Sequence, residues 1–146
     1  MNSTDRFQAW TDGGWRQKTG IGGWAYVMKP SSDGFVQDEK SGTVYPDDGP
    51  TNQRMELLAV IKVLDALPDR AEVTVYTDSQ YVASTVNEGW NIKANIDLWQ
   101  KFVDASMNHE VSVQWIPRNS VPEHERADEL AKAATKPGLD KDGEEG

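Results

Sequence analysis

The run EVTVYT at residues 72–77 stands between two segments of helical character, and that placement restricts the fold more than any other feature of the chain. Its β-branched content marks a buried strand. Before it, TNQRMELLAVIKVLDAL (51–67) combines strong helix formers with apolar residues on most faces, as expected for a helix covered by a sheet on one side and by neighbours on another. After it comes DSQYVASTVNEGW, which reads as a short helix ending near Gly89. Residues 95–107 place Ile96, Trp99, Phe102 and Val103 on one helical stripe, EVSVQWI is a further strand, PRNSVP a loop and EHERADELAKAAT (123–135) a final helix. Strands separated by helices are joined by crossovers, and crossovers make parallel neighbours.

The N-terminal part must supply the remaining strands. RFQAWT (6–11) and GGWAYVMK (22–29) carry aromatic and β-branched residues and flank the glycine-rich GGWRQKTGIGG, which reads as a loop between antiparallel strands. Beyond the turn signal PSSDG, FVQDEKSGTVY (35–45) predicts a third, more exposed strand, and PDDGP then breaks the chain. The order β-β-β-α-β-α-α-β-α predicts an α/β fold with a mixed sheet and helices packed on it. A chain of 146 residues suits one domain, expected over residues 1–136, with the acidic residues 137–146 as a disordered tail. No repeat or interdomain linker interrupts it.

The chain has no cysteine, which excludes disulfide staples, thiolate metal sites and a cysteine nucleophile. A bound metal would take oxygen or imidazole ligands, and with only His109 and His124 present the carboxylates are the candidates. No apolar run approaches the roughly 20 residues that span a bilayer, and the opening MNSTDRFQAW has neither the charged start nor the apolar centre of a signal peptide. A cytoplasmic location without membrane contact is therefore expected. The net charge of −9 argues at first against a polyanionic partner. Much of that charge, however, sits in PGLDKDGEEG at the end and in four carboxylates considered next. If cations cancelled the four, the remaining body would be nearly neutral, and Arg16, Lys18, Arg54, Lys93, Lys101 and Arg118 could gather into a basic patch.

The four are Asp12 in WTDGGW, Glu56 in TNQRMELLAVI, Asp78 in VYTDSQYV and Asp128 in HERADELAKAA. Each has an ordinary use. Asp12 could be a turn residue before Gly13-Gly14, Glu56 a solvated helix position, Asp78 the N-terminal cap of the helix that follows it, and Asp128 an exposed ion pair with Lys132 four residues on. Those uses leave the order and spacing of the four motifs unexplained.

In that order and on those elements, the four motifs resemble type 1 ribonuclease H, and the resemblance covers nearly the whole folded chain. It implies a five-stranded mixed sheet of order 3-2-1-4-5 with helices on both faces, in which the first and fourth strands are parallel neighbours and bring Asp12 beside Asp78. It implies hydrolysis of the RNA strand of an RNA–DNA hybrid by two divalent ions, Mg²⁺ or Mn²⁺, leaving 3′-hydroxyl and 5′-phosphate ends. Two such ions about 4 Å apart can serve the attacking water and the leaving oxygen together, and hard Mg²⁺ favours oxygen ligands. Asp12 would bridge both ions, Glu56 and Asp78 would lie on the nucleophile and RNA side, and Asp128 would complete the other ion.

The resemblance also implies RNA contacts from the backbone at Gly13 and from Asn52, Gln80 and Glu56, with Thr51 and Asn52 near a DNA-strand phosphate. Thr51 and Asn52 are equally suited to capping the helix that begins there. Lys18 stands where the family often has an RNA-contacting asparagine. Two departures are visible. The basic handle of many members shrinks to NEGWNIKANID, with Lys93 its only base, so phosphate contacts must come from elsewhere. The glycine-rich loop that usually carries a histidine is the shorter PRNSVP, where Arg118 takes the place; a guanidinium can help a product phosphate leave but cannot act as a base. His124 aligns with a position ordinarily held by asparagine and is expected at the surface or in a capping role. A monomer is expected. The other readings are a DNA-cutting nuclease of the same fold and a silent hybrid-binding module. An exonuclease of related fold would want an Asp-x-Glu pair that Asp12-Gly13-Gly14 lacks, and a silent module would be expected to lose one of the four acids.

Overall fold

The structure is a computed structural model and describes residues 5–32, 38–89 and 91–138. Its strands are β1 (Arg6–Arg16), β2 (Ile21–Pro30), β3 (Asp38–Val44), β4 (Glu72–Thr77) and β5 (Glu110–Trp115), and its helices α1 (Asn52–Ala66), α2 (Gln80–Glu88), α3 (Ile96–Ser106) and α4 (Pro122–Ala134). They form one five-stranded sheet in the order β3-β2-β1-β4-β5. β1, β2 and β3 pair antiparallel, whereas β1 with β4 and β4 with β5 pair parallel. The mixed sheet expected from strand and helix order is the one observed.

Local chemistry sets the helix ends. Thr51 caps α1 by accepting the Arg54 N–H through its hydroxyl at 3.1 Å, and Ser79 caps α2 by accepting from Val82 at 3.1 Å. Gly89 stops α2 at a φ of +68°, a left-handed conformation that a glycine adopts without penalty. The core lies between the sheet and α1: Leu57, Val60 and Leu64 pack with Ala9, Val73, Val75 and Val113, and α3 adds Leu98, Trp99 and Phe102. No helix among the described residues is long and apolar enough to cross a membrane.

Two elements differ from expectation. β1 does not stop at Thr11 but runs through Asp12-Gly13-Gly14-Trp15-Arg16, paired residue by residue with Ile21–Ala25, so the loop is only Gln17–Gly20. Gly13 there is a strand residue against which another element packs closely, whereas nothing lies within 4 Å of a Cβ at Gly14. On α3, Trp99 and Phe102 are buried as expected, but Ile96 and Val103 are 63 % and 46 % exposed and Leu98 takes the inward place. The reason is that α3 rests on α1 rather than on the sheet, so its buried stripe is narrow. Residues 35–37 of the expected third strand, Trp90 at the end of the expected short helix and residues 139–146 of the expected tail lie outside the described residues.

Candidate active site

The parallel register of β1 against β4 ends at Thr11 opposite Thr77, which puts Asp12 and Asp78 next in line on adjacent strands. Two close approaches then bring up the helices. At Gly13 a Cβ would lie 2.3 Å from the carbonyl carbon of Met55 and 2.6 Å from the Glu56 nitrogen, so only glycine lets α1 come this near and deliver Glu56 to the end of β1. At Gly23 a Cβ would lie 2.5 Å from the Ala131 carbonyl oxygen, and the same logic seats α4, which carries Asp128 one turn earlier. Gly22 instead faces Met55, and neighbouring strand residues point to opposite sides, so α1 and α4 cover opposite faces of the sheet.

The turn bearing Asp78 is held without its side chain. Ser79 takes the capping role that the sequence also offered to Asp78, the Ser79 N–H donates to the Thr77 hydroxyl at 3.0 Å, and the Trp115 indole N–H donates to the Asp78 carbonyl oxygen at 3.1 Å. The Asp78 carboxylate is thereby released for the site. Its Oδ1 and Oε1 of Glu56 are buried with no hydrogen-bond partner. Asp12 is 5 % exposed. Asp128 is also buried, and accepts from Arg118 Nη2 at 3.2 Å while pairing with Lys132 at 3.1 Å, so its helical ion pair exists but forms part of the cluster rather than an isolated surface contact.

Crowding governs the protonation of these acids. Burial, then the hydrogen bond with Asp128, then the charges of Asp78 and Asp128 push the Asp12 carboxyl up to about 8. Burial, with the charges of Asp12 and Asp78, pushes Glu56 well above the usual carboxylate range. Burial works in the same direction on Asp128, but the hydrogen bonds with Asp12 and Lys132 and the charges of Lys132 and Arg118 outweigh it and hold Asp128 below its usual value. Buried carboxylate oxygens without partners, gathered around an acid that keeps its proton to an unusually high pH, are the donor set that divalent cations satisfy.

The acids line one cleft of about 500 Å³ together with Gly13, Asn52 and Arg118 from the expected set. Thr51 is exposed as the cap of α1, Gln80 is exposed at the start of α2, and Lys18 is exposed on the turn between β1 and β2; none of the three lines the cleft. Trp15, Arg16, Lys132 and Lys136 do line it, on the β1 and α4 side. Trp15 closes the WTDGGW motif but falls in the segment read as loop, which gives it no role of its own there; Lys136 carries no motif signal and comes into place through the packing of α4 over Gly23. His124 is the main correction. It is neither at the surface nor a cap but 0 % exposed, with Nε2 3.7 Å from Oδ2 of Asp78. Its position on α4 four residues before Asp128 turns it inward with that acid.

The RNase H family model matches residues 4–136. The ribonuclease H of Paracoccus denitrificans is 40 % identical, with the alignment covering 88 % of this chain and 92 % of that protein. The ribonuclease HI of Campylobacter jejuni is 34 % identical, covering 87 % and 89 %. Among solved structures, LC11-RNase H1 in complex with an RNA/DNA hybrid superposes with a TM-score of 0.76 at 25 % identity, covering 91 % of this chain and 99 % of that one. The RNase H1 of the halophilic archaeon Halobacterium salinarum does so with a TM-score of 0.74 at 29 % identity, covering 93 % and 98 %. With sheet order, motif order and relatives in agreement, this chain belongs to the RNase H family and is a ribonuclease H of type 1.

Proposed function

We propose that this ribonuclease H hydrolyses the RNA strand of RNA–DNA hybrids with two divalent ions, Mg²⁺ or Mn²⁺, leaving 3′-hydroxyl and 5′-phosphate ends. The observation that carries the reading is the pair of buried, unpartnered carboxylate oxygens on Glu56 and Asp78 beside the crowded Asp12. Asp12, Glu56, Asp78 and Asp128 hold the ions, which when bound supply an activated water and stabilise the charge on the scissile phosphate and the leaving oxygen. Asp12 must give up its proton for this, and Asp128, with Arg118 and Lys132 against it, is the acid already ionised.

The remaining residues bind and orient. Gly13 and Asn52 line the cleft where an RNA strand would run, and a 2′-hydroxyl is the group that distinguishes RNA there. Arg118 presents a permanent positive charge at the mouth of the cleft, suited to a product phosphate. Arg16, Lys132 and Lys136, which line the same cleft, supply phosphate contacts in place of the shortened basic handle. Thr51, Gln80 and Lys18 lie outside this lining and would meet a hybrid only beyond it. LC11-RNase H1, of the same fold, is solved in complex with an RNA/DNA hybrid, which supports the substrate assignment. The reading includes a cytoplasmic monomer. Incubating the purified protein with labelled RNA–DNA hybrid, duplex DNA and duplex RNA, with Mg²⁺ or with chelator, tests it. Cutting of the hybrid's RNA strand alone, lost with chelator, is the expected result; metal-dependent cutting of duplex DNA and not of hybrid overturns it.

A further inference from the structure

His124 sits at the first turn of α4, wholly buried, and its contacts define which ring nitrogen carries the proton. Nδ1 accepts the backbone N–H of Asn119 at 3.1 Å. A nitrogen that accepts a hydrogen bond uses its lone pair and holds no proton, so the neutral ring carries its hydrogen on Nε2. Nε2 has no hydrogen-bond partner and lies 3.7 Å from Oδ2 of Asp78. That spacing is too long for a hydrogen bond and too short to admit a water between. The Thr11 backbone carbonyl is the other acceptor near the ring, and the Asp78 carboxylate, charged and able only to accept, is the stronger partner for that N–H.

Distance alone would allow a different role. Ligand atoms of Asp12, Asp78 and His124 all lie within 4.8 Å of one another, close enough to share one ion. Ligation, however, takes the lone pair of an unprotonated nitrogen, and the nitrogen that faces the acids is the one bearing hydrogen. The other nitrogen is tied to a loop that itself serves the site. Asn119 holds a φ of +54°, the left-handed region that a non-glycine residue enters only when its surroundings hold it there, and Arg118 beside it contacts Asp128.

We propose that His124 is a positioning residue: latched to Asn119 through Nδ1, it directs Nε2–H at Asp78, orienting that carboxylate for a divalent ion without coordinating the ion itself. The inference rests on the reading that Asp78 holds an ion. In the wild-type protein freed of metal, imidazole ¹⁵N resonances show His124 as the Nε2-protonated tautomer, and they keep that signature when diamagnetic Mg²⁺ is added to saturation. Calorimetric titration with Mg²⁺ or Mn²⁺ alone, without hybrid, gives ion affinity about 10- to 100-fold weaker in His124→Leu, the usual range for loss of a group that orients a ligand. His124→Gln, which retains one acceptor and one donor, recovers most of that affinity. An Nδ1-protonated ring, loss of the Nε2 hydrogen on ion binding, or a glutamine variant no better than the leucine variant overturns the inference. If the leucine variant does not fold by circular dichroism, the tautomer and a glutamine variant with close to wild-type affinity decide. A wild-type protein that binds neither ion removes the underlying reading and the inference with it, whereas ion binding by an Nδ1-protonated ring removes the inference alone.

Discussion

Replacing Asp12 by Asn should stabilise the ion-free protein while abolishing its cleavage activity. The folded Asp12 carboxyl loses its proton near pH 8 against 3.8 for the ordinary group, with burial the largest cause and the Asp128 hydrogen bond and the charges of Asp78 and Asp128 behind it. Between those values the folded state holds a proton that the unfolded chain has released, so stability falls as pH rises and levels off above about 8. At pH 7 about three units of that window have been crossed, at about 1.4 kcal/mol each, which sets a ceiling on the order of 4 kcal/mol. Water entering the cleft and relaxation of its walls lower the effective cost, so about 1–2 kcal/mol is expected back from the asparagine. The amide keeps the shape of the side chain and, like the protonated acid, carries no charge. For a chain of this size the gain corresponds to about 2–8 °C in Tm. Thermal unfolding in chelator at several pH values between about 5 and 9 measures it: the difference between D12N and wild type should grow with pH toward about 8. If D12N melts below wild type at neutral pH, Asp12 is not under like-charge strain and the electrostatic account of the site is wrong.

Gly13→Ala places a methyl group against the Met55 and Glu56 backbone, with approaches as short as 2.3 Å. A loss of about 3 kcal/mol or more in denaturant unfolding is expected, together with loss of activity because α1 must move; an unchanged midpoint would refute the close-approach argument. Arg118→Ala is expected to lower kcat on the order of 100-fold, with Lys recovering part of it, in steady-state cleavage of a hybrid. Because Asp12 keeps a proton up to about 8, divalent-ion affinity measured calorimetrically should rise with pH and flatten above that value, with proton uptake by the buffer on binding. Gln at both Arg16 and Lys136 should raise KM and flatten the salt dependence of hybrid binding by roughly 0.9 in log–log slope for each phosphate that is no longer neutralised; an unchanged slope would place the grip elsewhere.

Strand and helix order was legible because β4 carries β-branched residues between two helices of unmistakable composition, which leaves few ways to connect a sheet. The convergence of Asp12, Glu56, Asp78 and Asp128 was legible only through four motifs taken together, since each acid alone had an ordinary use and Asp128 does make its expected pair with Lys132. What escaped was set by packing across the chain. Gly13 and Gly14 read as loop because glycine disfavours strands in general, whereas Gly13 is in a strand because α1 presses on it. Ile96 and Val103 read as core because a helical stripe says which residues share a face but not how wide the covered face is. His124 read as peripheral because its burial depends on where α4 sits against β1 and β2, which no local pattern records.

The acids of the site sit on β1, α1, α4 and the turn after β4, and the outermost two, Asp12 and Asp128, lie near opposite ends of the described chain. No contiguous fragment short of almost the whole sequence contains all four. Their meeting requires the parallel junction of β1 with β4, a pairing of residues about 65 positions apart that carries a large loop-closure cost and is slow to form. Catalytic competence is therefore a property of the completed topology: during refolding, the return of hybrid cleavage would report closure of the β1–β4 seam and docking of α4, not the earlier appearance of helix or hairpin.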